Sequence, residues 1–193
     1  MPVHPSFNHP TDTLANAFVG YWKNKGQQKI FRAINRLDKN TSGLVLIALD
    51  AYSAEKLKGN VDKTYTAIVQ GKVEKQQGII ELPIARQTES IITRCVREDG
   101  QYAKTEYTVI KQNDDFSLLD IKLHTGRTHQ IRVHFSHLGY SLAGDDLYGG
   151  STEFISRHAL HCRKLEFISP FNNEKVTVNS NLPKDMEDIV IKI

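Results

Sequence analysis

A carboxylate on a turn, with a cation two residues before it, can act as a nucleophile or general base, and Arg36-Leu37-Asp38 followed by Thr41-Ser42-Gly43 has that form. The neighbouring charge would hold Asp38 ionised. The plainer alternative is a surface aspartate paired weakly with Arg36 or Lys39. A second cluster, Gly126-Arg127-Thr128-His129-Gln130-Ile131-Arg132-Val133-His134, reads as a loop entering a helix. Free backbone N–H groups and arginines at such a start suit phosphate or carboxylate, against the alternative of a solvated basic face. Arg132 and His129 are three apart and are expected to share a helix face distinct from that of Ile131 and Phe135. The third cluster is Gly144-Asp145-Asp146-Leu147-Tyr148-Gly149-Gly150. Its paired carboxylates could bind a metal or form turn hydrogen bonds, and no third ligand is evident nearby. With Tyr65 and Tyr107 on strands, the three clusters suggest a site for a charged polymer, but residue types alone name no reaction.

The elements that must position these residues follow from periodicity. A helix is expected from Thr11 or Asp12 as N-cap, with Leu14, Ala17, Phe18 and Tyr21 on one apolar face. The polar stretch Lys23 to Lys29, with Gly26, reads as a loop. Leu44 to Leu49 is an apolar run of strand length, which would present the Asp38 turn at the edge of a buried strand. A short helix after Asp50 would turn Ala54 and Leu57 inward. From Lys63 onward the texture is β: Thr64–Val69, Ile79–Leu82, Ile91–Val96, Ala103–Ile110 and Ser117–Leu123, separated by Gly- and Asp-containing turns. A helix over Thr128–Leu138 would bury Ile131, Phe135 and Leu138 and end at Gly139. Leu165–Ile168 and Lys175–Val178 read as a hairpin. The fold class expected is α+β, a predominantly antiparallel mixed β-sheet with flanking helices and loops.

Composition narrows the classes. The chain has 193 residues, enough for one large domain, with 39% hydrophobic and 24% charged residues, as in globular proteins. No run approaches the ~18 apolar residues of a membrane span. The N-terminus lacks the pattern of a secretion signal, so the expected location is cytoplasmic. A net charge of +3 is compatible with a polyanionic partner without requiring one. Cys95 and Cys162 lack zinc-site spacing and are expected to be reduced, buried thiols.

Several segments, in order, resemble the RluA-type pseudouridine synthase family. Asn35-Arg36-Leu37-Asp38-Lys39-Asn40-Thr41-Ser42-Gly43-Leu44 is similar to its catalytic motif, Lys63-Thr64-Tyr65-Thr66-Ala67-Ile68-Val69-Gln70-Gly71 to its second, and Gly126 to His134 to its third. Leu138-Gly139, Gly144-Asp145, Leu147-Tyr148-Gly149, Ala159-Leu160-His161, Leu165 with Phe167, and Leu182-Pro183 with Asp185-Met186 continue the likeness over nearly the whole chain. The resemblance implies an RNA-modifying isomerase acting on ribosomal RNA, transfer RNA or both. It breaks the N-glycosidic bond of uridine, rotates the uracil and rejoins it through carbon.

It also implies roles. Asp38 is the nucleophile, attacking either C1′ of the sugar or C6 of the base. Arg132 pairs with it, and Tyr65 stacks on the uracil and helps remove the C5 proton. Leu160 forms pocket wall, and Arg36, Thr41, Arg127, His129 and Gln130 are expected to contact RNA. No cofactor and no metal are implied, and a monomer is expected. Asn35 stands where many relatives have His, and the stretch between Ala51 and Lys63 is shorter than usual. The Lys-Pro-x-Gly edge strand and the S4 RNA-binding domain of some relatives are not seen before Met1. One rival reading is an RNA-binding module that has lost catalysis. Another is a hydrolase built on Asp38 with Asp145 and Asp146, against which Asp145 is expected to serve loop structure.

Overall fold

β-Branched and aromatic side chains alternate between two covered faces, and that alternation builds the strands. The computed structural model describes every residue except Glu89 and Ile91. Its strands are β1 (Ser42–Gly43), β2 (Val61–Gln70), β3 (Gln77–Glu81), β4 (Ile84–Arg86), β5 (Arg94–Val96), β6 (Lys104–Gln112), β7 (Phe116–Leu123), β8 (Leu160–Ile168) and β9 (Lys175–Asn179). One sheet runs β1-β8-β2-β7-β6-β3, with β9 added on β8, while β4 and β5 form a separate hairpin. Among the described residues only the β1–β8 pairing is parallel. The α+β class and the mostly antiparallel mixed sheet are therefore as expected.

The helices are α1 (Leu14–Asn24), α2 (Ala51–Leu57), α3 (Gln130–His137) and α4 (Lys184–Val190). In β2, Tyr65, Ala67 and Val69 face a core shared with Ile131 and Phe135 of α3. Ile68 faces the other way, into a core with Met186 and Ile189 of α4. The period-2 pattern of one central strand thus supports a helix on each side. At the active end of β2, Tyr65 pairs with Cys162 while Thr64 pairs with Lys164, which leaves Arg163 as a bulged extra residue.

Several expectations need correction. Leu44–Leu49 does not continue as a strand. The Asn35 amide donates to Leu44 O at 3.0 Å and its oxygen accepts Leu46 N–H at 2.8 Å, so a side chain takes bonds a ladder would use. A single bridge, Ala33 to Ile47, remains. Asn35 thereby pins the approach to the Asp38 turn. In α1 the N-cap is Thr13, and Ala17 and Tyr21 are exposed while Ala15 is buried. The inward ring of Phe18 meets Phe31 and Trp22. α3 begins at Gln130 rather than Thr128, and Leu138 is exposed. His129, its N-cap, is left-handed and so does not share a helical face with Arg132.

The strand read at Ile91–Val96 is described as Arg94–Val96, with Ile91 outside the described residues. β4 and α4 escaped the sequence reading. Ala54 is half-buried and Leu57 buried, as expected. Both cysteines are free thiols, but Cys95 is only half-buried.

Candidate active site

Gly43 lets the Asp38 turn approach the sheet. Its φ is +111°, and a Cβ there would collide with the backbone of Cys162 in β8. The turn closes with Thr41 N–H donating to Asp38 O at 2.9 Å. The Thr41 hydroxyl then meets His158 Nε2 at 2.8 Å, and Ser42 Oγ meets His161 Nδ1 at 2.9 Å. Two side chains preceding and entering β8 therefore clamp the loop that carries the carboxylate.

Asp38 opens into a cavity of about 390 Å³, within the range of small-molecule pockets. Tyr65 and Leu160, both buried, supply apolar wall from β2 and β8. Arg36, Thr41, Arg127, His129, Gln130 and Arg132 also line it, so the sequence-predicted site residues are gathered around one space. Ile34, Lys63 and Leu123 complete wall that the sequence reading did not assign.

The electrostatics differ from the expectation. Arg36 is exposed and makes no ion pair among the described residues, so it is not the cation paired with Asp38. That cation is Arg132, with Nη1 at 3.5 Å from Asp38 Oδ2. Arg132's main partner is Asp145: Nε and Nη2 each donate to a carboxylate oxygen at 2.7 Å. Asp145 is 1% exposed and Arg132 5%. Burial opposes the Arg132 charge, but its hydrogen bonds to Asp145 and the charges of Asp145 and Asp38 prevail and raise its pKa. Asp145, expected to serve loop structure, is the anchor of the arginine that faces Asp38.

Gly144 makes this possible. Its φ is +77°, and a Cβ would strike the backbone of Ile155 and Arg157. The Gly-Asp pairing was the signal in the sequence, but the partner 13 residues away was not.

His129 Nε2 lies 3.9 Å from Asp38 Oδ2. Burial lowers its pKa, with Asp38 pulling the other way. His158 is driven down to about 4, chiefly by burial and then by Arg132. Both rings are neutral near pH 7. Burial raises the Tyr65 phenol well above its ordinary value, so it presents a neutral ring. Gln130 needs correction as an RNA contact. Its buried amide accepts from Thr125 and from Arg127 N–H and donates to Lys104 O and Thr105, which leaves it a pin for the loop. Arg127 remains at the surface, with Nε donating to Tyr102 O at 2.9 Å.

Residues 1–137 match the model of the RNA pseudouridylate synthase family. The chain belongs to that family. An uncharacterized RNA pseudouridine synthase of Bacillus subtilis, YjbO, is 39% identical over 191 residues, which is 96% of this chain and 68% of the relative. Ribosomal large subunit pseudouridine synthase D of Buchnera aphidicola is 34% identical over 98% of the chain and 66% of its own length. The chain spans about two thirds of the length of the curated relatives it matches, 64% for a second Bacillus subtilis protein. A solved structure, human RNA pseudouridylate synthase domain containing 1, superposes with a TM-score of 0.72. It is 25% identical and covers 93% of this chain and 84% of that one. Pseudouridine synthases are isomerases acting on RNA. No helix among the described residues is long and apolar enough to cross a membrane.

Proposed function

We propose that the chain isomerises uridine to pseudouridine in structured RNA, with Asp38 as nucleophile and large-subunit ribosomal RNA as the substrate class. One observation carries the reading: Asp38 faces a nucleoside-sized cavity, with Arg132 at 3.5 Å and the Tyr65 and Leu160 walls beside it. The ribosomal assignment rests on the synthase D relatives.

A base inside a stem cannot reach such a cavity, so the uridine is flipped out of its stack. Stacking on Tyr65 offsets the loss by ~1–3 kcal/mol. A carboxylate enclosed with the base would drift toward its neutral, non-nucleophilic form, and the fixed guanidinium opposes that drift. In the reaction the C1′–N1 bond breaks and a C1′–C5 bond forms. The hydrogen on C5 leaves as a proton and N1 gains one, so nothing is oxidised or reduced. Arg36 and Arg127, exposed and lining the cavity, would meet phosphates of the RNA.

Tritium release from a large-subunit ribosomal RNA transcript carrying [5-³H]uridine measures the reaction. The wild-type chain releases tritium, whereas Asp38→Asn releases none and still binds the transcript. Full release by Asp38→Asn, or none by the wild type on any uridine-bearing RNA, would falsify the reading.

A further inference from the structure

Beyond Asp38 and Arg132, one residue touches both side chains whose nitrogens face Asp38 Oδ2, Arg132 and His129, without lining the cavity itself. The Tyr148 hydroxyl lies 2.8 Å from His129 Nδ1 and accepts the Arg94 backbone N–H at 2.9 Å. Its ring lies beneath the Arg132 guanidinium, 4.9 Å from carbon to centroid. Its backbone oxygen accepts from Ser136 Oγ at 2.9 Å and Ser141 Oγ at 2.7 Å, which fixes the residue in place. His129 is held at φ +58°, a conformation that non-glycine residues adopt only under constraint.

We propose that Tyr148 is a positioning residue that sets the tautomer of His129, so that a neutral ring presents its Nε2–H to Asp38. The proposal deepens the synthase reading and rests on it for its kinetic consequences. Hydrogen-bond satisfaction carries the argument. A phenol has one hydrogen to donate, and its oxygen is already an acceptor for Arg94 N–H. If His129 Nδ1–H also donated to it, the Tyr148 hydrogen would have no acceptor among the described residues. Tyr148 is half-buried, and an imidazole nitrogen held 2.8 Å away is a better acceptor for its hydrogen than no fixed partner at all. Donation from Tyr148 to Nδ1 satisfies both groups and puts the imidazole proton on Nε2, the nitrogen 3.9 Å from Asp38.

The consequence is chemical. Asp38 then faces a charged N–H at 3.5 Å and a neutral N–H at 3.9 Å, the second close enough to bias it electrostatically but not hydrogen-bonded. Arg132 supplies the positive charge beside the carboxylate, and a neutral Nε2–H turned toward its second side adds no further full positive charge that would blunt its attack. The link also runs outward. Arg94 belongs to the β4–β5 hairpin, so the position of that hairpin reaches Asp38 through Tyr148 and His129. The groups facing His129 are Asp38, Arg132, Asp145, Arg94, His158 and Tyr148, from the Asp38 turn, α3, the loop after it, β5 and the segment before β8.

Tyr148→Phe removes the hydroxyl and keeps the ring under Arg132, which separates the two contacts. Nitrogen-15 NMR of histidine-labelled protein, with His129 assigned by its loss in His129→Gln, reads the tautomer without any substrate. The wild type shows a neutral ring protonated at Nε2, and Tyr148→Phe shows a mixture. On the ribosomal RNA transcript, kcat for Tyr148→Phe falls about tenfold, the worth of one hydrogen bond, with KM unchanged. The acid limb of its pH–rate profile moves to higher pH, because the hydroxyl donor no longer favours the neutral ring. His129→Gln offers an acceptor to Tyr148 and a donor to Asp38 at similar spacing, so it retains activity within about tenfold, while His129→Leu does not. An Nδ1-protonated ring in the wild type, or unchanged kcat and acid limb in a folded Tyr148→Phe, overturns the proposal. An inactive wild type with the Nε2 tautomer intact overturns the synthase reading and leaves this geometry standing.

Discussion

Two arginine–aspartate pairs have nearly the same local chemistry and opposite settings. Arg132 and Asp145 lock with two 2.7 Å bonds, and both are almost fully buried. Arg163 in β8 forks onto Asp120 in β7 across the intervening strand β2, with Nε at 2.8 Å, but the side chains are 36% and 28% exposed. The bulge in β8 turns Arg163 out to the sheet surface, whereas the loop at Gly144 carries Asp145 inward. Geometry alone does not rank such pairs. Water decides, because it screens the surface pair and is absent from the buried one. The buried pair also has a third participant, since Arg132 Nη1 is left to face Asp38.

The largest difference is expected from breaking the buried pair. Asp145→Asn keeps the shape but leaves the Arg132 charge with only Asp38, a half-exposed partner. Losing one member of a buried pair costs roughly 3–5 kcal/mol. The same change frees the guanidinium to swing toward Asp38, and misplacement by an ångström is worth about 100-fold in kcat. Urea denaturation and tritium release measure the two losses. Arg132→Lys should be as damaging to turnover, because an ammonium cannot fork onto Asp145 and reach Asp38 together. Wild-type activity in a stable Asp145→Asn protein would remove Asp145 from the site and return it to its loop.

How far this pair could be read from sequence shows where residue patterns stop. That Asp38, Tyr65 and Arg132 share one cavity was legible through the ordered motifs that resemble the synthase family, and the β texture from Lys63 onward through period-2 alternation. The main partner of Arg132 was not. The resemblance implies its pairing with Asp38, but the two shorter bonds to Asp145 come from the approach of a loop 13 residues away that no local pattern marks. α3 misled for a related reason. Gln130, Arg132 and His134 are buried, where a two-faced helix would expose them, because each finds partners on distant segments. Leu44–Leu49 looked like a strand because its apolar content was real, but Asn35 substitutes for a strand partner. α4 is seven residues long, and its N-cap, Pro183, makes no side-chain cap, so little marked its start.

A smaller effect separates the two regions by pH. His158 sits on the Asp38 side, with Thr41 as hydrogen-bond partner and Arg132, Arg157, His129 and Asp38 as charged or titratable neighbours. Its pKa falls from 6.5 to about 4 in the folded chain. The unfolded chain therefore takes up its proton first, so the stability tied to the neutral ring is complete above about pH 6.5. It is lost as pH falls toward 4. Between pH 7 and 4.5 this group should account for a loss on the order of 2–3 kcal/mol. His158→Gln keeps a donor and an acceptor for Thr41 and cannot titrate, so its denaturation midpoints should fall less steeply over that window. Parallel wild-type and variant curves would show that another group governs acid stability.

The smallest effect is expected at the exposed pair, where it also tests the comparison most directly. Asp120→Asn makes the same atom-for-atom change as Asp145→Asn, on a carboxylate that holds an arginine by the same fork. Around Arg163 and Asp120, water can replace the lost charge. The unpaired guanidinium is then solvated rather than stranded, and the loss should stay within about 1 kcal/mol and shrink with added salt. Turnover should be unchanged, since Asp120 and Arg163 do not line the Asp38 cavity. Urea titrations of the two variants at low and high ionic strength give the contrast. The buried substitution should keep its penalty in salt, and the exposed one should lose most of it. If Asp120→Asn costs as much as Asp145→Asn and is equally insensitive to salt, then fork geometry rather than exclusion of water sets the worth of these pairs. The burial of Arg132 would then no longer explain its hold on Asp38.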